Sequence, residues 1–281
     1  MPNLPSSFMI GPGSQLDDQD GTLSYMPMPS EMSVYATPHL PEPEDFIGFE
    51  AGKAALTSVL AHLEALDAPN GTAIVDLSTL DKANRLFVDQ VLGEGEVSIV
   101  GGSTHQAQES VLAGVWRVRQ TNDKGDLIAD LIEVGDFPRT LLNIAFPQAR
   151  TAVTIPEHFA PNVFNTPALL PEINEYVAKA ADESKAHVIN LSLLPHTPED
   201  LTTLAQLLGA GELTILSRGY GNCRVTSTGT QNTWWVRYYN SQDTLILNSI
   251  EITPLPEIVC AAPEDLGDSA ERLREILEVY K

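Results

Sequence analysis

The chain repeats itself. Gln90–Val97 (QVLGEGEV) is matched by Gln206–Leu213 (QLLGAGEL), and Gly93 and Gly209 stand 116 residues apart. Upstream, Val75-Asp76-Leu77-Ser78 is matched by Ile189-Asn190-Leu191-Ser192 at an offset of 114. Downstream, Trp116-Arg117-Val118-Arg119 is matched by Trp234-Trp235-Val236-Arg237, and Leu127–Val134 (LIADLIEV) by Leu245–Ile252 (LILNSIEI), both at 118. Pro138 and Pro256 close the two copies at that same offset. The offset grows in small steps, as it does when one unit is doubled and then takes up short insertions. The period is far above the roughly 20–50 residues of solenoid repeats. The constraint is therefore two tandem α/β units rather than an array.

Residue patterning fills in each unit. Asp45 can cap a helix reaching Leu66, with Leu56, Val59, Leu60 and Leu63 on one face. Ile74–Leu77 reads as a short strand, and Leu80 to Val91 as a second helix stopped at Gly93. Val97–Val100, Gly114–Gln120 and Leu127–Val134 read as strands. Residues 136–166, with several prolines and no clear period, read as a linker with some strand possible at Ala152–Ile155. The second unit opens with a helix at about Ala168–Ala181 and a strand at Val188–Leu191. Thr197-Pro198-Glu199-Asp200 is a strong helix start, and Gly209 ends that helix. Strands at Leu213–Ser217, Val225–Thr228, Thr233–Tyr239 and Thr244–Ile252 follow, and a last helix begins near Asp268. The first two strands of a unit flank a helix, which predicts a parallel crossover pair; the later ones form an antiparallel meander. The expected fold is α/β of the α+β type: two tandem pseudo-repeats, each a mixed sheet with helices packed on it. The divisions are an arm at 1–44, a first unit at 45–150 and a second at 151–281. The arm carries no Lys or Arg and is rich in Pro, Met and Asp, which disfavours helix.

Charge narrows the functions. Lys and Arg number 16 against 38 Asp and Glu, a net charge of −22. Such a field repels nucleic acid and anionic lipid and draws in basic partners. Cys223 and Cys260 lack metal-ligand or CxxC spacing, and a reducing cytoplasm suits them. No apolar run is long enough to span a bilayer, so membrane insertion is not expected. The histidines are scattered, and P-loop, GxGxxG, HExxH and GxSxG motifs are absent, which disfavours an enzyme and suggests no cofactor.

The chemically densest stretch is Arg218-Gly219-Tyr220-Gly221-Asn222-Cys223-Arg224. Its glycines fit a tight turn, and its arginines and free N–H groups could hold a carboxylate or a peptide carbonyl. Cys223 beside Arg224 could have a lowered thiol pKa, or could simply pack. Alternation along Thr233–Tyr239 sends Trp234 and Tyr238 to one face and Trp235 and Tyr239 to the other. One pair would be core and the other a patch for a partner, or both would be core. The candidate partner-binding residues are Arg218, Gly219, Tyr220, Gly221, Asn222, Cys223, Arg224, Trp234 and Tyr238. Glu133 and Glu251, equivalent between the copies, fit a structural role as well as a catalytic one.

The blocks SRGYGNCRVTST, WWVRYYNSQDTLILNSIEI and APEDLGDSAERLREIL resemble the C-terminal region of HupH/HyaF-type hydrogenase expression proteins. GEGEVSI, QESVLAGVWRVR, IEVGDFP and the arm's GTLSYMPMP are similar to the rest of that family's pattern. The resemblance implies an accessory role in maturing an uptake [NiFe]-hydrogenase. Within it, such a protein would be a cytoplasmic chaperone for the precursor of the small, iron–sulfur-bearing subunit before twin-arginine export, working with a thioredoxin-like accessory protein. The alternatives are an iron–sulfur or metal carrier using Cys223 with ligands from a partner, and a thiol enzyme pairing Cys223 with a histidine such as His196.

Overall fold

The computed structural model describes residues 48–66, 72–181, 185–218 and 222–280. They belong to one compact unit. The arm and its junction with the body, including Asp45, lie outside the described residues.

The first half runs α1 (Glu50–Glu64), β1 (Ala73–Asp76), α2 (Lys82–Leu92), β2 (Val97–Gly101), β3 (His105–Glu109), β4 (Val115–Thr121) and β5 (Leu127–Val134). A short helix, α3 (Arg139–Leu142), follows. The second half runs α4 (Thr166–Lys179), β6 (His187–Asn190), α5 (Pro198–Leu208), β7 (Ala210–Ser217), β8 (Asn222–Thr228), β9 (Thr233–Tyr239) and β10 (Leu245–Ile252), and α6 (Pro263–Val279) closes the chain. The two halves therefore carry the same helix–strand–helix–four-strand order.

Among the described residues, ten strands join one sheet in the order β1-β5-β4-β3-β2-β7-β8-β9-β10-β6. Every ladder in it is antiparallel. The expected parallel crossover is thus replaced: β1 and β2 never meet, because β1 turns back along β5 at one edge, as β6 does along β10 at the other. A short strand before a long meander can pair at its far end as readily as at its near one, and patterning alone does not distinguish them.

The halves meet along β2 and β7. Ile99 faces Ile215, Val97 faces Ser217 and Gly101 faces Leu213. Ile99 and Ile215 are counterparts at the offset of 116, so a pseudo-twofold axis passes between them. This is isologous pairing, the geometry of a symmetric dimer interface, within one chain.

Helices cover the two ends of one face. Over the first half, Leu56 and Val59 of α1, Phe87, Val88 and Val91 of α2, and Ala270 and Leu273 of α6 pack on Val115, Ile132 and Val134. The C-terminal helix therefore returns to the first half of the sheet. It also begins at Pro263, five residues before the capping pattern at Asp268. Over the second half, Leu169, Leu170 and Ile173 of α4 and Leu204 and Leu208 of α5 pack on Trp235, Ile250 and Ile252. Truncating a fully buried leucine or isoleucine among these, such as Leu56, Ile132 or Ile250, to alanine costs about 2–5 kcal/mol.

The opposite face is covered at its middle by the segment read as a linker. Phe137, Leu141 and Ala145 pack with Val259 on Trp116, Ile99, Ile215, Val225 and Trp234. The linker is therefore core, and Ala152–Ile155 is not a strand. Arg150 then ties the linker to the second half by donating to the Leu207 and Leu208 carbonyls at the end of α5.

Helix ends are built alike in both halves. Gly93 and Gly209 stop α2 and α5 at φ values of 55° and 74°, where a side chain would be strained. At the start of α5, Thr197 and Asp200 form a capping box. Asp200 is fully buried, and its Oδ1 also accepts from the N–H groups of Phe164, Asn165 and Thr166, each at 2.9 Å, which fastens α4 to α5. Burial opposes its ionisation, but the N–H groups of Thr166, Thr197 and Asn165 outweigh that and hold its carboxyl at about 2. Asn84 occupies the same place in the first half and accepts from Gly52 N–H at 2.8 Å, fastening α1 to α2.

Candidate functional site

The β7–β8 hairpin closes on the Ser217–Cys223 pair, and the β2–β3 hairpin on Gly101–His105. Five residues lie between the first pair and three between the second. The step in offset from 116 to 118 therefore falls in the Arg218–Arg224 turn. Arg218 is exposed and donates its N–H to the Glu96 carbonyl on β2's side of the seam, and Asn222 is exposed as well. Gly219, Tyr220 and Gly221, the expected tip of the site, lie outside the described residues.

Strand alternation then divides the remaining candidates. Cys223 and Val225 point into the core beneath the linker, and Arg224 and Thr226 to the other face. Cys223 is 5% exposed, and burial pushes its thiol up to about 11, the neighbouring Tyr238 hydroxyl acting in the opposite direction. The expectation of a thiol activated by Arg224 is overturned, because the guanidinium stands on the opposite side of the sheet. Burial also pushes Cys260 up to about 12. Neither cysteine is a thiolate at neutral pH.

Trp234 is 0% exposed; its indole N–H donates to the Thr253 carbonyl at 3.0 Å, and its ring meets Phe146 edge-on at 5.0 Å. Tyr238 is half-buried on that same core face. Trp235, on the other face, donates to Asn248 Oδ1 at 2.5 Å. Both tryptophans are thus core, so Trp234 and Cys223 are not surface residues, and Tyr238 lies on the covered side.

Among the described residues, no helix covers the face bearing Arg224 between the two helix groups. Ser98, Val100, Gln108, Thr214, Leu216, Arg224, Thr226, Arg237 and Tyr239 there are all half-exposed, while the other side of the same strands is buried. Arg224 lies directly opposite Arg237 on β9. The Arg237 guanidinium carbon stands 4.6 Å from the Trp235 ring centre, and that of Arg224 stands 5.8 Å from Tyr239. Such stacking fixes a cation while leaving its N–H edge free. Among the described residues no carboxylate pairs with either arginine, nor with Arg218. Arg224 Nε is buried without a hydrogen-bond partner among them.

Sequence reading missed Arg237, and it weighed Tyr239 as one of two aromatic pairs without placing it among the candidates. The signal was available: with β8 and β9 read as a hairpin, alternation places Arg224, Arg237 and Tyr239 on one side and Cys223, Trp234 and Tyr238 on the other.

Other titratable groups are in structural use. Glu133 is buried and accepts from the Thr140 N–H in α3. His187 bonds Glu172 at 2.8 Å and stacks on Tyr176. His196, whose ring nitrogens are buried, sits in the turn before α5, not in the cluster that holds Cys223. Among the described residues no group of three His, Cys, Asp or Glu stands together as a metal site would need. Among them, too, no helix is long and apolar enough to cross a membrane.

Comparison with known proteins agrees with the repeat. The family model described as HupH hydrogenase expression protein, C-terminal conserved region, matches residues 50–147 and 163–280. The hydrogenase expression/formation protein HoxQ of Cupriavidus necator is 46% identical, across 96% of this chain and 95% of its own length. HupH of Rhodobacter capsulatus is also 46% identical, across 97% of this chain and 96% of its own length. The hydrogenase-1 operon protein HyaF of Escherichia coli is 33% identical, across 96% and 95%. A solved structure of the hydrogenase expression protein HupH from Thiobacillus denitrificans is 30% identical, covering 41% of this chain and 95% of that one, with a TM-score of 0.39.

Proposed function

The chain belongs to the HupH hydrogenase expression protein family, and from that premise we propose that it holds the precursor of a [NiFe]-hydrogenase small subunit in the cytoplasm before export. Its broader role is in hydrogenase maturation. The observation that carries the finer reading is the net charge of −22, which suits a client whose twin-arginine leader is basic. The Arg218–Arg224 turn is the second contact, with Arg237 and Tyr239 joining it in place of Trp234, Cys223 and Tyr238. A thioredoxin-like accessory protein is the expected co-worker.

The test is co-expression of the tagged full chain with the small-subunit precursor, followed by capture at low salt. The expected result is a complex that weakens as salt rises, because contacts between exposed charges are screened. Absence of any complex at low salt sinks the reading.

A further inference from the structure

The central strands repeat one another residue for residue on the open face, and the differences between the copies add up to a gain of positive charge. By register and offset, Gln106 corresponds to Arg224, Arg119 to Arg237, Arg117 to Trp235 and Asp130 to Asn248. Asp89 of α2 corresponds to Ala205 of α5 at the offset of 116. In the first half, Arg119 lies 3.2 Å from Asp89 and 3.5 Å from Asp130. In the second, both of those carboxylates are replaced by uncharged side chains and an arginine is added.

Across these five positions two carboxylates and one guanidinium, that of Arg117, are lost and one guanidinium, that of Arg224, is gained, so two arginines facing two carboxylates become two arginines alone. The outcome is a like-charged pair placed directly across two strands, an arrangement that is destabilising when nothing lies between. It stands out on a chain in which acids outnumber bases more than two to one. Arg237 stands over the Trp235 ring and Arg224 near that of Tyr239, which holds both guanidiniums in place, and among the described residues neither has a carboxylate partner.

We infer that Arg224 and Arg237 form a carboxylate-binding platform that takes an acidic, extended segment of the protein's client. The arrangement is open sheet rather than a cavity, which suits a polypeptide better than a small anion. The planar guanidinium fork suits paired carboxylates of aspartate or glutamate. The inference rests on the client reading above and adds a contact of opposite sign. A basic leader meets the acidic body while acidic residues of the client meet this pair, so the client is held in one orientation.

The test uses the full chain and a fluorescein-labelled hexapeptide of alternating Asp and Glu, with its Asn/Gln counterpart, followed by anisotropy. Salt is kept at about 0.15 M, where repulsion from the remaining acids is screened beyond about 8 Å. The acidic peptide binds and the neutral one does not. Arg224→Gln or Arg237→Gln each weakens binding about tenfold, the scale of one charge-assisted hydrogen bond. Arg237→Lys keeps more affinity than Arg237→Gln, and Arg272→Gln, on the exposed side of α6, changes nothing. Circular dichroism checks folding, and Arg224→Gln decides the matter should Arg237→Gln unfold.

Equal binding of the two peptides overturns the platform, as does wild-type affinity in both glutamine variants. Binding of inorganic phosphate in place of the peptide overturns its assignment to carboxylates of a polypeptide. Precursor capture separates the two readings. Capture by a wild-type chain that ignores the acidic peptide sinks the platform alone. Arginine-dependent peptide binding without precursor capture supports the platform and sinks the small-subunit reading.

Discussion

Arg117 and Asp130 in the first half stand where Trp235 and Asn248 stand in the second. Both pairs bridge neighbouring strands under a helix. In the first, Arg117 Nη2 donates to Asp130 at 2.8 Å, within a group that also holds Asp89, Arg119 and Arg85. In the second, an indole donates to an amide and neither partner is charged. The same position in the same sheet is thus secured once by ions and once by an aromatic. Shape and one donated hydrogen bond are what the scaffold requires there; the charge is optional. Where charge is optional for folding, it is free to serve recognition, as we propose for Arg224 and Arg237.

The sharpest way to break this comparison is to exchange the pairs. Arg117→Trp alone leaves Asp130 buried without its strongest partner and costs about 3–5 kcal/mol in urea unfolding. Adding Asp130→Asn recovers part of that loss, with a coupling of about 1–3 kcal/mol in the double-mutant cycle. Additive losses would mean that the two halves do not share one structural requirement.

A smaller effect is expected at the helix knots. Asp200 does with a charge what Asn84 does without one. Its carboxyl is depressed to about 2 when folded, against an ordinary 3.8. Its stabilisation is therefore complete above the ordinary value and is lost as the pH falls through about 2. Asp200→Asn lowers stability by about 2 kcal/mol near neutrality, and the gap to wild type narrows as the pH is lowered from 4 toward 2. A pH-independent gap would show that ionisation is not what makes the knot hold.

The smallest effect separates Glu109 from its counterpart Ser227. Burial pushes Glu109 up to about 7, with the charges of Glu96 and Asp265 adding to it and the Gly114 N–H opposing it. For a carboxyl raised on folding, the protonated form is the favoured one. Its contribution is full below the ordinary 4.5 and is lost as the pH rises through about 7. Glu109→Gln therefore raises the melting temperature by a few degrees at pH 8 and leaves it unchanged at pH 4. Ser227→Ala shows no comparable pH dependence, because the hydroxyl that accepts from Leu213 N–H does not titrate.

The doubled architecture was legible because it is written in spaced apolar residues and helix-ending glycines, which leave little choice of structure. β3 was not. Only Ala107 of its five residues is buried, and Gln106 and Gln108 face the open side, so HQAQE lacks the apolar alternation that marked its counterpart β8. The parallel crossover failed because local pattern says that a strand exists and says nothing of its neighbour. In the site, Arg218–Arg224 was legible as chemistry, but its division between two sides of a sheet depends on register. That depends in turn on the five-residue loop, which the small change in offset had already recorded. Trp234 misled for a simpler reason: a large aromatic suits a core and a contact surface equally well until its burial is known.

The joint between β2 and β7 has a further consequence. On separate chains, two such halves would find each other only as often as their abundance allowed, and any change in one would be imposed on both. On a single chain the encounter is guaranteed at any dilution. Each side can then vary alone, so a symmetric frame can carry a lopsided surface.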